Sequence, residues 1–168
     1  MTTSTVRLEI LSRPELLASV RAMVISLSER FGFDQIESGH LALAVDEALA
    51  NVIRHGYEGD ADGRIWIAIG IVESDPPRMR IEIEDEGRQV DPENIVSRDL
   101  QQIRPGGLGV HIMREITDSC TFEPRQNGGM RLVLEKRLDA AGVGFGADPS
   151  RNHDDPHQDP GSSPRKRT

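Results

Sequence analysis

Apolar and polar positions alternate along "VRLEIL" (6–11), the period of a half-buried strand. The period then lengthens. Leu16, Leu17, Val20, Met23, Val24 and Leu27 recur at helical spacing, which predicts a helix from about Pro14 to Phe31 with these side chains inward. Ser12 with Glu15 three residues on reads as its capping box, Pro14 suits the first turn, and Gly32 ends it. Asp34 is the expected cap of a second helix, which runs through "DEALANVIRHGY" (46–57) and ends near Gly56. Leu41, Val45, Ala48, Leu49, Val52 and Ile53 share its inner face. Beyond the turn formers of "GYEGDADG" (56–63), "RIWIAIGIV" (64–72) and "MRIEIED" (79–85) read as an antiparallel hairpin around Asp75-Pro76-Pro77, with Ile65, Ile67, Ile69 and Ile71 on one face. Residues 86–106 carry little pattern beyond a short turn at 92–96, and a loop of that length inside a compact domain points to function or mobility. "GGLGVHIMREITD" (106–118) is a Gly-rich turn opening a helix. "SCTFEPR" (119–125) and "MRLVLEKRL" (130–138) are closing strands around "QNGG" (126–129). This order predicts an α+β fold whose mostly antiparallel sheet is covered by helices on one face.

Composition changes the picture at the C-terminal end. From Asp139 the sequence is Gly, Pro, Ser and charge, with too little apolar surface to offset its ordering entropy. One domain over 1–138 and a disordered polar tail over 139–168 are expected. Aromatic residues are only 4% of the 168, so the core must be Leu, Ile, Val and Ala, and stacking platforms for single-stranded nucleic acid are scarce. A net charge of −8 argues against general phosphate-backbone binding, so no direct nucleic-acid contact is expected. Cys120 is the only cysteine, which leaves no internal disulfide and no CxxC site. No apolar run approaches the roughly 20 residues of a membrane span, and "MTTSTVRLEI" lacks the features of a signal peptide. A cytoplasmic location without membrane contact is the expectation.

Three segments carry candidate chemistry, each with a plainer explanation. Gly106, Gly107 and Gly109 stand at a helix start, where close-approaching N–H groups and the helix dipole favour an anion; a tight turn would need glycine too. No Gly-Lys-Ser/Thr follows, so this is not a Walker A loop. The third glycine of a dinucleotide fingerprint would fall at Ile112, so it is not that either. In "DEG" (85–87) a strand-end carboxylate can accept from an amino group such as that of adenine, and Gly87 makes room for a flat ring, although Asp-x-Gly is also a common turn. Glu47 and Asn51 lie one turn apart on the outer side of the second helix. A solvated face explains them, but Asn is a mediocre helix former. A neutral oxygen for Mg²⁺ beside a carboxylate suits a metal-phosphate site.

Glu-x3-Asn on a helix, then Asp-x-Gly after a strand, then a loop, then Gly-x-Gly opening a helix, resembles the GHKL (Bergerat) ATP-binding fold of gyrase, histidine kinases and MutL, a two-layer α/β sandwich. "DEALANVIRHGY", "EDEG" and "RPGGLGVHIMREITD" narrow the resemblance to the anti-sigma factor serine/threonine kinases of bacterial partner switching, over about residues 6–138. The resemblance implies ATP and Mg²⁺ as cofactors. It makes Glu47 the general base, Asn51 the Mg²⁺ ligand and Asp85 the acceptor of the adenine amino group. Gly87 leaves room for the ring, and Gly107, Leu108 and Gly109 line the phosphates. Residues 88–106 become a short lid, with Arg104 reaching the phosphates or a neighbouring subunit. It also implies two protein partners, a STAS-domain anti-sigma antagonist as substrate and a sigma factor, and it makes a homodimer an option because such kinases commonly dimerise.

The sequence departs from the family at Gly128-Gly129-Met130, where relatives often carry Gly-Thr with a hydroxyl for the nucleotide. His55 matches a residue type common in these proteins and is assigned no role. No segment has the room for the histidine-bearing helical hairpin of a transmitter histidine kinase. The competing expectation is a nucleotide-gated binding module with little or no kinase activity. Intact Glu47 and Asn51 speak against it, and Met130 speaks for it. A third is an ATP-binding partner of another response-control protein, without a sigma factor.

Overall fold

The computed structural model describes residues 2–95 and 108–138. Arg104, Gly106, Gly107 and the expected tail at 139–168 lie outside them. Strand β1 (Thr2–Leu11) leads through a 3-10 turn at Pro14–Leu16 into helix α1 (Leu17–Phe31) and helix α2 (Gln35–Asn51). Strands β2 (Arg64–Val72) and β3 (Arg78–Asp85) follow, then α3 (Leu108–Ile116), β4 (Ser119–Pro124) and β5 (Met130–Arg137). The sheet runs β1-β2-β3-β5-β4, and every described pairing is antiparallel. This is the expected α+β architecture. β1 starts four residues before the alternation becomes visible in the sequence.

The two helix starts show how context selects among local signals. The expected Ser12–Glu15 capping box does not form: Arg13 occupies the N-cap and donates no cap from its side group. Ser12 is buried, and its hydroxyl donates instead to the carbonyl of Asp60, tying the end of β1 to the turn before β2. A buried hydroxyl needs a partner more than an exposed helix start needs a cap. The Asp34 cap does form. Asp34 Oδ1 accepts from Glu37 N at 2.7 Å, and Glu37 Oε2 accepts from Asp34 N at 3.4 Å. Gly32, at φ 108°, ends α1 and donates to the carbonyls of Ser28 and Glu29.

The core lies between the helices and one sheet face. Val24, Leu49, Ile65, Ile69 and Met113 are fully buried there. Each such side chain contributes about 1.5–3 kcal/mol relative to exposure. α2 packs between α1 and α3, so Ala42 and Ala44 are buried as well as the predicted stripe. Small side chains on its flanks let the neighbouring helices approach. The opposite sheet face is polar, and Arg80, Glu82, Arg131 and Glu135 interlock across β3 and β5. Burial would raise the Glu82 carboxyl, yet hydrogen bonds from Arg131 and Arg80 hold it below its ordinary value.

Cys120 on β4 packs half-buried against the core. Burial pushes its thiol up to about 11, with Arg114 pulling weakly the other way. Relative to an exposed cysteine the thiolate population falls about 100-fold, and the stronger nucleophilicity of a high-pKa thiolate recovers part of that loss. Reaction with a dithiodipyridine reagent at pH 8 is therefore expected to be roughly tenfold slower than for an exposed cysteine, and to become fast in denaturant. Fast modification of the folded protein would contradict the burial.

Candidate functional site

Asp85 closes β3, and its parity is what matters. Positions 79, 81, 83 and 85 point to the helix layer, so a carboxyl enters the buried register after Met79, Ile81 and Ile83. The residue is only 3% exposed. Its Oδ1 accepts backbone N–H groups from Gly87 at 2.8 Å and Met130 at 3.3 Å. Its Oδ2 has no hydrogen bond to a described residue. Burial raises the pKa, and the two N–H bonds and the Arg125 charge offset this only partly.

Two glycines permit this arrangement. A Cβ on Gly87 would lie 2.5 Å from the backbone carbonyl carbon and oxygen of Gly56, and Arg88 N donates to that same oxygen at 2.8 Å. The Asp-x-Gly turn is thus laid directly on the end of the second helix. That end is not regular α-helix. Val52–Gly56 forms a π turn, closed by Tyr57 N donating to Val52 O at 2.9 Å. Such turns occur often at functional sites because they re-aim the backbone. Gly129, at φ +76°, brings its Cα so close that a Cβ would sit 1.9 Å from the Asp85 carbonyl oxygen. Tyr57 braces the same corner, because its hydroxyl accepts from Glu86 N at 2.9 Å and donates to the Arg64 carbonyl.

Glu47 and Asn51 lie one turn apart near the end of α2, both half-exposed. The start of α3 packs on them. A Cβ on Gly109 would be 2.6 Å from Glu47 Oε2 and 3.4 Å from Asn51 Nδ2. Glycine at 109 therefore admits both side chains beside a helix N-terminus, whose partial positive charge favours an anion. Asp46 turns the other way, toward α1, where Arg21 donates to its carboxylate. Glu47 and Asn51 have no such partner among the described residues. Leu108 opens α3 and is exposed.

Five of the residues singled out in the sequence thus gather along one helical segment: Glu47 and Asn51 meet Gly109 near the end of α2, and Asp85 and Gly87 lie on the π turn that follows it. Arg104, Gly106 and Gly107 lie outside the described residues. Sequence reasoning missed Gly56, Gly129, Tyr57 and the backbone N–H of Met130. The strand parity of Asp85 and the Gly-Gly pair before β5 were the available signals. Among the described residues no group of three or more His, Cys, Asp or Glu could hold a metal ion, so a cation here would rely on water and phosphate oxygens around one protein ligand. No helix among the described residues is long and apolar enough to cross a membrane.

Known proteins resemble this chain in sequence and in fold. The profile of the histidine kinase-like ATPase domain matches residues 10–136. The serine-protein kinase RsbW of Bacillus subtilis is 25% identical over 146 residues, covering 82% of this chain and 88% of the relative. RsbW of Listeria innocua is 26% identical over 141 residues, covering 79% and 87%. Among solved structures, the RsbU and RsbW domains of a Mycobacterium tuberculosis protein match with TM-score 0.53 and 18% identity, over 80% of this chain and 33% of that longer one. The SiaB-SiaC complex of Pseudomonas aeruginosa matches with TM-score 0.53 and 13% identity, over 80% of this chain and 91% of that one. At such identities the structural likeness speaks for the fold alone. The match over most of the sequence, together with the converging helix, strand-end and glycine segments, places the protein in the histidine kinase-like ATPase domain family.

Proposed function

We propose that the protein is an ATP-dependent protein serine/threonine kinase that acts as an anti-sigma factor, phosphorylating a STAS-domain antagonist and sequestering a sigma factor. The observation that carries this reading is the packing of Gly109 against Glu47 and Asn51, with the Asp85–Gly87 turn seated on the end of the same helical segment. The residues fit a nucleotide. Asp85 keeps one carboxylate oxygen for an amino donor, Gly87 lets the turn that follows it lie on the Gly56 backbone, and Gly109 lets the α3 N-terminus approach Glu47 and Asn51. ATP would supply the phosphoryl group that joins the serine oxygen as ADP leaves, with Mg²⁺ neutralising phosphate charge. Glu47 would take the proton of the incoming hydroxyl. Asn51 would offer its carboxamide oxygen to the cation, and Asp85 would accept from the adenine amino group. The α3 N-terminus would stabilise phosphate charge through Gly109 and the preceding glycines. The named serine-protein kinases among the relatives support this reading.

The test is transfer of labelled γ-phosphate to purified STAS-domain proteins from the same organism, alongside nucleotide binding. Asn51→Ala is expected to lower ATP affinity at least about tenfold in Mg²⁺ and to change it little in EDTA. Equal Mg²⁺-ATP affinity in wild type and variant would remove Asn51 from the site. Met130 favours a second reading, a nucleotide-gated binding module. Its N–H holds Asp85, but its thioether offers the nucleotide no hydroxyl. ATP-dependent capture of a partner without phosphoprotein would select that reading.

A further inference from the structure

The outer face of α2 is not simply solvated. On a helix turning about 100° per residue, Ile36, His40, Leu43 and Glu47 fall within about 60° of arc, opposite the buried Leu41, Val45 and Leu49. Ile36 is 69% exposed and Leu43 is 42% exposed. Among the described residues the only other exposed large hydrophobic is Leu108, at 57%, one residue before the glycine that meets Glu47. Ile36 and Leu43 therefore mark a line along α2 that ends at the carboxylate assigned as base, and Leu108 stands in the chain beside the glycine that meets that carboxylate. A solvated helix face would carry Lys, Glu or Gln at positions 36 and 43. Apolar side chains gathered along one line mark a protein contact rather than scattered surface residues.

We propose that the Ile36–Leu43 stripe is the docking surface for the protein that presents the phospho-acceptor hydroxyl. This rests on the kinase reading of Glu47. The occupant follows from reach. A hydroxyl within hydrogen-bond distance of Glu47 brings its carrier over the adjoining helix face, and the stripe extends roughly 16 Å back from Glu47 along α2 at 1.5 Å per residue. The carrier needs an apolar patch beside its serine, of low charge, because the stripe offers Ile, Leu, Gly39 and His40 rather than ions.

The experiment uses the full-length protein and the panel of STAS-domain proteins from the same organism, reading both binding and phosphotransfer for wild type, Ile36→Asp/Leu43→Asp and Ile36→Leu. Ile36 is the second residue of α2, where an acidic side chain suits the helix dipole, and Leu43 is exposed, so the double variant should fold; circular dichroism and ATP affinity check this. The expected result is at least a tenfold rise in KM for the STAS protein, with kcat and ATP affinity within twofold of wild type, and wild-type behaviour in Ile36→Leu. An unchanged KM with intact phosphotransfer overturns the docking surface and leaves the kinase reading standing. Weakened binding of a STAS protein that accepts no phosphate supports the surface and overturns the kinase reading. Loss of self-association in the double variant at unchanged KM gives the stripe to a second copy and overturns the proposal.

Discussion

Asp85→Asn is expected to cost at least about 100-fold in ATP affinity while leaving the fold in place. In the wild type, Oδ1 is committed to the N–H groups of Gly87 and Met130. An Asn at this position keeps those two bonds only by placing its own oxygen there, which turns its NH₂ group toward the adenine. A donor would then face a donor. Losing a hydrogen bond to a charged acceptor and leaving the amino group unpaired together amount to about 3 kcal/mol or more. Titration calorimetry with ATP checks the affinity.

Thermal unfolding against pH provides an independent check on the same substitution. The folded-state pKa of Asp85 is raised by burial, so ionisation opposes folding. The wild type is favoured by Asp85 protonation below its ordinary value of 3.8, and that advantage is lost as pH rises through the raised folded value. Asn does not ionise. The variant should gain relative to the wild type as pH rises from the ordinary value of 3.8 through the raised folded value, and the two curves should run parallel below the ordinary carboxyl range. An Asn variant that binds ATP as tightly as wild type would sink the adenine assignment.

Glu47→Gln is the second large effect. The carboxamide keeps the size of the group beside Gly109 but cannot take a proton from the incoming hydroxyl. Phosphotransfer should fall by roughly 10²–10⁴ in kcat. ATP affinity should stay within a few-fold of wild type, because the purine and cation are assigned to Asp85 and Asn51. Single-turnover transfer to the STAS protein separates chemistry from binding. If the variant transfers phosphate within a few-fold of wild type, Glu47 is not the base.

The two carboxylates differ in how far the sequence revealed them. The parity of "MRIEIED" puts Asp85 in phase with Met79, Ile81 and Ile83, so an acid on the buried side was legible from a period of two. Glu47 and Asn51 were legible only as the outer side of a helix, which a solvated face explains equally well. Their significance came from α3 packing on them, a contact between segments about sixty residues apart. The Ser12–Glu15 signal misled because it is local, whereas the partner of the buried Ser12 hydroxyl, the Asp60 carbonyl, is 48 residues away.

The sequence by itself determined the elements, their order and the faces they bury, because hydrophobic period and turn chemistry act between near neighbours. It also determined the residue types available for chemistry. Only the tertiary structure decided that the π turn seats Gly56 beneath Gly87, that Met130 and Gly129 close over Asp85, and that Gly109 opens α3 onto Glu47 and Asn51. Those contacts join positions remote in the sequence, and no local period encodes them. They are set where packing three helices on one sheet face leaves no room for a Cβ, so that only glycine fits.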